Sequence, residues 1–188
     1  MRSLPTATAA DLWIWHPIGG RRRWGALVDS YEDEPWTALD VLDPRILPRR
    51  CVSDDDRLCV ALRPELVPES VLREFSYLCD ERGMERERKA GLDPDPHGWV
   101  ATRRQRLSGD WSNSRARAVC AASCAVAVAA SVAEAALFCT MIDHAAASPR
   151  RRHSAASLAE AALKARAAER GRQVRDLRRL LRAWQVEP

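Results

Sequence analysis

The side chains able to do chemistry in this 188-residue chain are scattered, and their spacing decides what each can do. Six cysteines stand at Cys51, Cys59, Cys79, Cys120, Cys124 and Cys139, with no C-x-x-C pair among them. Cys120 and Cys124 fall one helical turn apart. All six read as small buried hydrophobes in a reducing compartment, with a metal or disulfide role as the alternative. His16, His97, His144 and His153 have no adjacent Cys or Glu at metal-ligand spacing. His144 suits a helix C-terminus, where its charge meets the helix dipole. Asp54-Asp55-Asp56 lacks the spaced ligands and the glycine of a calcium loop, and reads as a solvated turn. Cys79-Asp80-Glu81-Arg82 brings a thiol and two carboxylates together in sequence. Cys79 falls on an apolar helical stripe and the others on its solvent side, which is core plus surface charge. Glu134 is a lone carboxylate in an apolar tract. It requires either an arginine from an opposite helix or a place on an exposed partner-binding face. These readings leave no catalytic set, no metal ligands and no cofactor motif, so the chain is expected not to be an enzyme.

The elements that must position these residues are helical. Alanine dominates Ala116 to Ala147, and a second alanine-rich segment follows after Ser148-Pro149-Arg150-Arg151-Arg152. Alanine loses no side-chain entropy in a helix, so two long helices joined by a short breaker are expected, packed antiparallel and close. Sixteen residues from Ala118 to Ala133 carry no charge. A span needs about 20 apolar residues, and alanine is only marginally favourable in lipid, so the tract reads as core and not as membrane. Upstream, Val71, Leu72, Phe75, Leu78 and Cys79 recur at three and four, predicting a helix from Pro68 to about Lys89. Gly91 and Asp93-Pro94-Asp95-Pro96 break it; a helix from Pro96 with Trp99, Val100 and Leu107 inward then runs to Gly109. Asp110, Ser112 or Asn113 caps the first long helix. Ser154 or Ser157 caps the second, Ser157-x-x-Glu160 fitting a capping box. Leu58, Val60, Ala61 and Leu62 form a short buried segment. The reading is an all-α helical bundle over residues 64–188, preceded by an irregular segment over 1–63. In that segment Leu12 to Trp15 and Trp24 to Val28 flank Gly19-Gly20, which suits a short hairpin or a short helix. Residues 29–56 read as loop with one short helix around Trp36, Leu39, Val41 and Leu42.

Charge is unevenly placed although the net is only +4. Asp29, Glu32, Asp33, Glu34, Asp40 and Asp43 meet no basic residue between them, whereas Arg150 to Arg182 holds eleven Arg or Lys against Glu160, Glu169 and Asp176. The bias of arginine over lysine, which occurs only at Lys89 and Lys164, reads as coding composition. In the last helix Val174, Leu177, Leu181 and Trp184 form an apolar stripe, and Arg172, Arg175, Arg179 and Arg182 a charged one.

The stretch Asp56-Arg57-Leu58-Cys59-Val60-Ala61-Leu62-Arg63-Pro64-Glu65, with Val71-Leu72-Arg73-Glu74-Phe75 and Cys79-Asp80-Glu81-Arg82, resembles a bacterial family of alanine-rich immunity proteins. The resemblance continues through Asp93-Pro94-Asp95-Pro96, Arg103-Arg104-x-Arg106-Leu107-Ser108-Gly109-Asp110 and the alanine tract to Gln173-x-x-x-Leu177-Arg178, covering about Trp36 to Leu181. Family members often carry Ala-Ala-Trp or Ala-Ala-Arg repeats. Here Val, Cys, Phe138 and Met141 interrupt the tract, and residues before Trp36 have no counterpart. The resemblance implies an all-helical cytosolic protein that neutralises a toxin by binding it.

On that expectation the partner is a cognate protein toxin. The contact residues are those of the aromatic, acidic N-terminal side: Trp13, Trp15, Trp24, Asp29, Glu32, Asp33 and Glu34. Tryptophan supplies large interface anchors and acidic groups suit a basic toxin, with core packing as the alternative use of each Trp. The rival function is nucleic-acid association through Arg172, Arg175, Arg179 and Arg182, which could grip phosphates. No aromatic residue interleaves that row before Trp184, so a solvated helical face is its simpler use.

Overall fold

In the computed structural model alanine propensity wins where it is strongest: one helix runs unbroken for 34 residues and its neighbour for 32. The structure describes residues 2–15, 17, 20–31, 34–48, 50–94, 98, 100–101, 105, 114–147 and 155–187. Seven helices and one two-stranded sheet make up these residues, an all-α fold. In chain order they are β1 (Thr6–Ala7), α1 (Ala9–Ile14), α2 (Gly20–Tyr31), β2 (Trp36–Thr37), α3 (Ala38–Val41), α4 (Asp54–Ala61), α5 (Glu69–Lys89), α6 (Ser114–Ala147) and α7 (Ala155–Val186).

The three long helices form the frame. Helices α6 and α7 are antiparallel: Glu134 meets Arg166, and the Val126 carbonyl accepts from Arg170 and Gln173. Helix α5 runs parallel to α6, with Gly83 against Ala129 and, further along, Lys89 beside Ala133, Ala136 and Leu137. Alanine lets these helices approach closely. A Cβ added at Gly83 would meet the Ala129 Cα at 3.9 Å, so the backbones of α5 and α6 come close at this point. The α6/α7 pair expected from the two alanine tracts shares that alanine face with α5. The inner face of α6, including Ala118, Ala122, Ala125, Ala129 and Ala130, is buried, and so is Ala162 of α7. One stretch of α6, Ala118–Leu137, is long and apolar enough to cross a membrane, with mean hydropathy 1.8; 44% of it is buried against the rest of the protein.

The N-terminal segment carries more helix than its composition suggests, and of the two readings for Leu12 to Val28 the helix holds and the hairpin does not. Leu12 to Ile14 and Trp24 to Val28 lie in α1 and α2, either side of Gly20, which adopts φ 48°. The two strands pair elsewhere, antiparallel, with Thr6 opposite Thr37 and Ala7 opposite Trp36. The two strand ends lead into matching turns. The Asp11 carboxylate accepts from the Thr8 N–H at 2.7 Å and hydroxyl at 2.8 Å, and Asp40 accepts both from Thr37 at 2.7 Å. Thr-x-x-Asp at two places, each opening a helix, is the local signal for this arrangement. Leu12, Trp24, Leu27, Trp36, Val41, Leu42 and Leu47 then join Leu58, Leu72, Phe75, Leu177 and Leu181 in one continuous core.

Helix α5 matches the predicted span, with Pro68 as its N-cap. Ser157 lies inside α7 and does not cap it, since the helix already begins at Ala155. The proposed caps Asp110, Ser112, Asn113 and Ser154, together with Trp99 and Leu107, fall outside the described residues. Val100 is helical and buried.

Candidate functional site

The buried charges show what this molecule does not leave available for chemistry. Glu169 is fully buried on α7, its Oε1 accepting from Arg82 Nη1 at 2.9 Å and its other oxygen from Arg86, both on α5. Arg82 also pairs with Asp176, two helical turns along α7. On the next face of α7, Arg170 donates to the Val126 carbonyl at 2.9 Å and to Gln173 at 3.1 Å, and its Nε meets Asp55 at 2.5 Å. A helix rich in alanine leaves room for such long side chains to reach across it, and burial then demands that each charge find its opposite.

The three aspartates before Leu58 are therefore not simply solvated. Asp54 lies 3.6 Å from Arg57, Asp55 pairs with Arg170, and Asp56 accepts from Arg23 at 2.6 Å. They also open α4, with the Ser53 hydroxyl accepting from the Asp56 N–H. Arg57 itself is buried and donates to the carbonyls of Val41 and Leu47, tying α4 to the turn after α3. Cys79 is core as expected, and burial pushes its thiol up to about 12, which removes it as a nucleophile at neutral pH. Asp80 is buried as well, against the expectation that it faces solvent. Glu134 takes the first of its two expected solutions, with Arg166 of the opposite helix at 3.8 Å.

Among the described residues no three His, Cys, Asp or Glu side chains converge as metal ligands. None of the six cysteines is in a disulfide. The reading of them as buried hydrophobes holds for Cys79 alone: Cys51, Cys59, Cys120 and Cys124 are exposed and Cys139 is half-buried. Cys120 and Cys124 do share a face, but it is the outer face of α6.

Of the expected partner-binding residues, Trp24 is only 1% exposed and belongs to the core, because α2 turns its apolar side inward beside Leu27. Trp15 is half-buried and engaged: its ring stands edge-on to Trp36 at 5.9 Å, the Arg63 guanidinium lies 5.5 Å from its centroid, and its carbonyl accepts from Arg63. Trp13 is half-buried, and Asp29 and Glu34 are exposed. Glu32 and Asp33 lie outside the described residues. An exposed apolar side chain that sequence reasoning did not single out is Ile14, 70% exposed at the end of α1. Asp40 and Asp43 are spent internally, the latter on Arg45 and, at 3.1 Å, on Arg178 of α7.

The arginines of α7 divide into two sets. Arg170 and Arg178 turn inward to Asp55 and Asp43. Arg172, Arg175, Arg179 and Arg182 remain exposed along one row. Arg172 lies 3.8 Å from Glu169 and Arg179 3.5 Å from Asp176, while Arg175 and Arg182 meet no carboxylate among the described residues. Continuing that row toward the start of α7, a groove of ≈ 270 Å³ opens where α5 ends. Its floor is Ala133, Ala136 and Leu137 of α6 with Ala165 and Ala168 of α7, and its cations are Arg86, Lys89 and Arg172. The alternating spacing of Ala165, Ala168 and Arg172 could have flagged this row in sequence; that α5 stops short of it could not. No protein-family model, curated protein or solved structure matches the chain.

Proposed function

We propose that this chain is a non-catalytic cytosolic binding protein of the toxin-neutralising immunity type, acting by covering a protein partner. The observation that carries the reading is Ile14, a large aliphatic side chain left 70% exposed beside the half-buried Trp13, in a segment whose Asp29 and Glu34 are exposed. An exposed apolar anchor, with the exposed carboxylates Asp29 and Glu34 following the Arg21-Arg22-Arg23 run in the same segment, suits a basic protein surface, with charge speeding the encounter. The sequence resemblance points the same way, and the ion-paired interior leaves the surface as the working part. Trp24 drops out of the contact set, and Trp13, Ile14, Asp29 and Glu34 remain in it. The test is to capture the partner from the native host and titrate it with a variant carrying Ile14→Asp, Asp29→Lys and Glu34→Lys. Slower association and weaker salt dependence are expected, with helicity intact. Unchanged binding overturns this interface.

The second reading is nucleic-acid association, favoured by the continuous exposure of Arg172, Arg175, Arg179 and Arg182. Four phosphate contacts predict a slope of log K against log salt of roughly −3 to −4 on duplex DNA. Replacing the four by Gln then abolishes binding, whereas the N-terminal variant leaves it unchanged.

A further inference from the structure

Six positions of α7, Ala165, Ala168, Arg172, Arg175, Arg179 and Arg182, recur at alternating spacings of three and four residues. That alternation is the seam along which a second helix lies against a first. Their span of 17 residues is about 26 Å of helix. The seam has two chemically distinct halves. The first half is the alanine floor of the groove beyond the end of α5, closed on its other side by Ala133, Ala136 and Leu137. The second half is the arginine row. Among the described residues no carboxylate lines the groove, and Arg86, Lys89 and Arg172 stand around it.

We propose that the groove and the arginine row together seat one acidic amphipathic helix of a protein partner. The proposal rests on the reading that the chain works by binding a protein, and adds the chemistry of what it binds at this second surface. Small and apolar side chains of the incoming helix lie on the alanine floor, beside the last turn of α5. Its carboxylates meet Arg172, Arg175, Arg179 and Arg182, of which Arg175 and Arg182 have no acidic neighbour among the described residues. A nucleic acid would use only the cations, the arginines with Lys89, since the alanine floor offers no stacking surface. A helix uses both halves at once.

The test uses the full chain and a labelled peptide of about 20 residues with Ala and Leu on its seam and Glu beside it, long enough to cover the row. A scrambled peptide of the same composition, and single-stranded and duplex DNA, are titrated in parallel. The amphipathic peptide is expected to bind about tenfold more tightly than the scrambled one. Ala168→Glu, at an exposed helical position, places a like charge in the groove and is expected to weaken binding by about tenfold while the melting transition stays put. Gln at Arg175 and Arg182 is expected to weaken it similarly. Equal binding of both peptides, insensitivity to Ala168→Glu, absence of peptide binding, or tighter DNA binding that depends only on the arginines would each overturn the proposal. Failure here leaves a captured partner that still depends on Ile14, Asp29 and Glu34 as evidence for the proposed function, so the two are separable.

Discussion

Glu169→Gln removes one negative charge from the centre of the three-helix frame while keeping the side chain's shape. In the native protein that carboxylate has no exposure and holds Arg82 and Arg86, with Arg172 at 3.8 Å. After the change Arg82 keeps Asp176, but Arg86 loses its only carboxylate among the described residues and is left with neutral acceptors, the Ala129 carbonyl at 3.4 Å and the remaining amide oxygen. Breaking one side of a buried pair costs about 3–5 kcal/mol, because the other charge stays desolvated. Here the arginine side chains are 19% and 18% exposed and can rehydrate in part, so the cost falls near the lower figure, about 3 kcal/mol. For a chain of this length that corresponds to a drop in Tm of roughly 6–12 °C. Thermal and urea unfolding followed by circular dichroism measure it. The double change Glu169→Leu with Arg86→Leu should recover at least half of the loss, since it removes both desolvated charges and leaves Arg82 on Asp176. A fall in Tm below about 2 °C for Glu169→Gln would refute the argument that this pair is buried and mutually dependent.

Three further outcomes follow from the packing and the charges. Ala129→Leu, at a buried site facing Gly83, should cost about 1–3 kcal/mol in urea unfolding, whereas Gly83→Ala should stabilise by about 0.5–1 kcal/mol, since its Cβ meets the Ala129 Cα at an ordinary 3.9 Å. Asp43 is held down to about 2 from its ordinary 3.8 by hydrogen bonds from the Arg45 side chain, with Arg178 adding to the effect. Because the fold favours the charged form, this contribution is complete above about pH 4 and disappears as the pH falls toward 2; Asp43→Asn should flatten the acid limb of a pH–Tm profile there. In the native state a thiol-alkylating reagent should modify Cys51, Cys59, Cys120 and Cys124 and spare Cys79, whose burial keeps it protonated; mass spectrometry of the timed reaction distinguishes them.

Local rules carried a large part of this fold. Alanine propensity and the breakers around it determined α6 and α7, and the three-and-four spacing from Val71 to Cys79 with Pro68 before it determined α5. The apolar stripe Val174, Leu177, Leu181 and the exposed row Arg172, Arg175, Arg179, Arg182 are both legible from helical periodicity alone. The N-terminal segment was harder, because Leu-Trp-Ile-Trp is β-prone by residue type while Thr8 and Asp11 commit it to a helix through two hydrogen bonds. What only tertiary structure decided is which polar groups are inside. Glu169, Arg170 and Gln173 look like surface residues of a charged helix. They are buried because α4, α5 and α6 surround that part of α7 and supply Asp55, Arg82, Arg86 and the Val126 carbonyl as partners. Trp24, a contact candidate by residue type, is core for the same kind of reason, and Ile14 is exposed. Periodicity states that a helix has an apolar side, but exposure depends on what is packed against it, and that is a property of distant segments meeting. The groove beyond α5 arises in the same way, from one helix ending where two others continue.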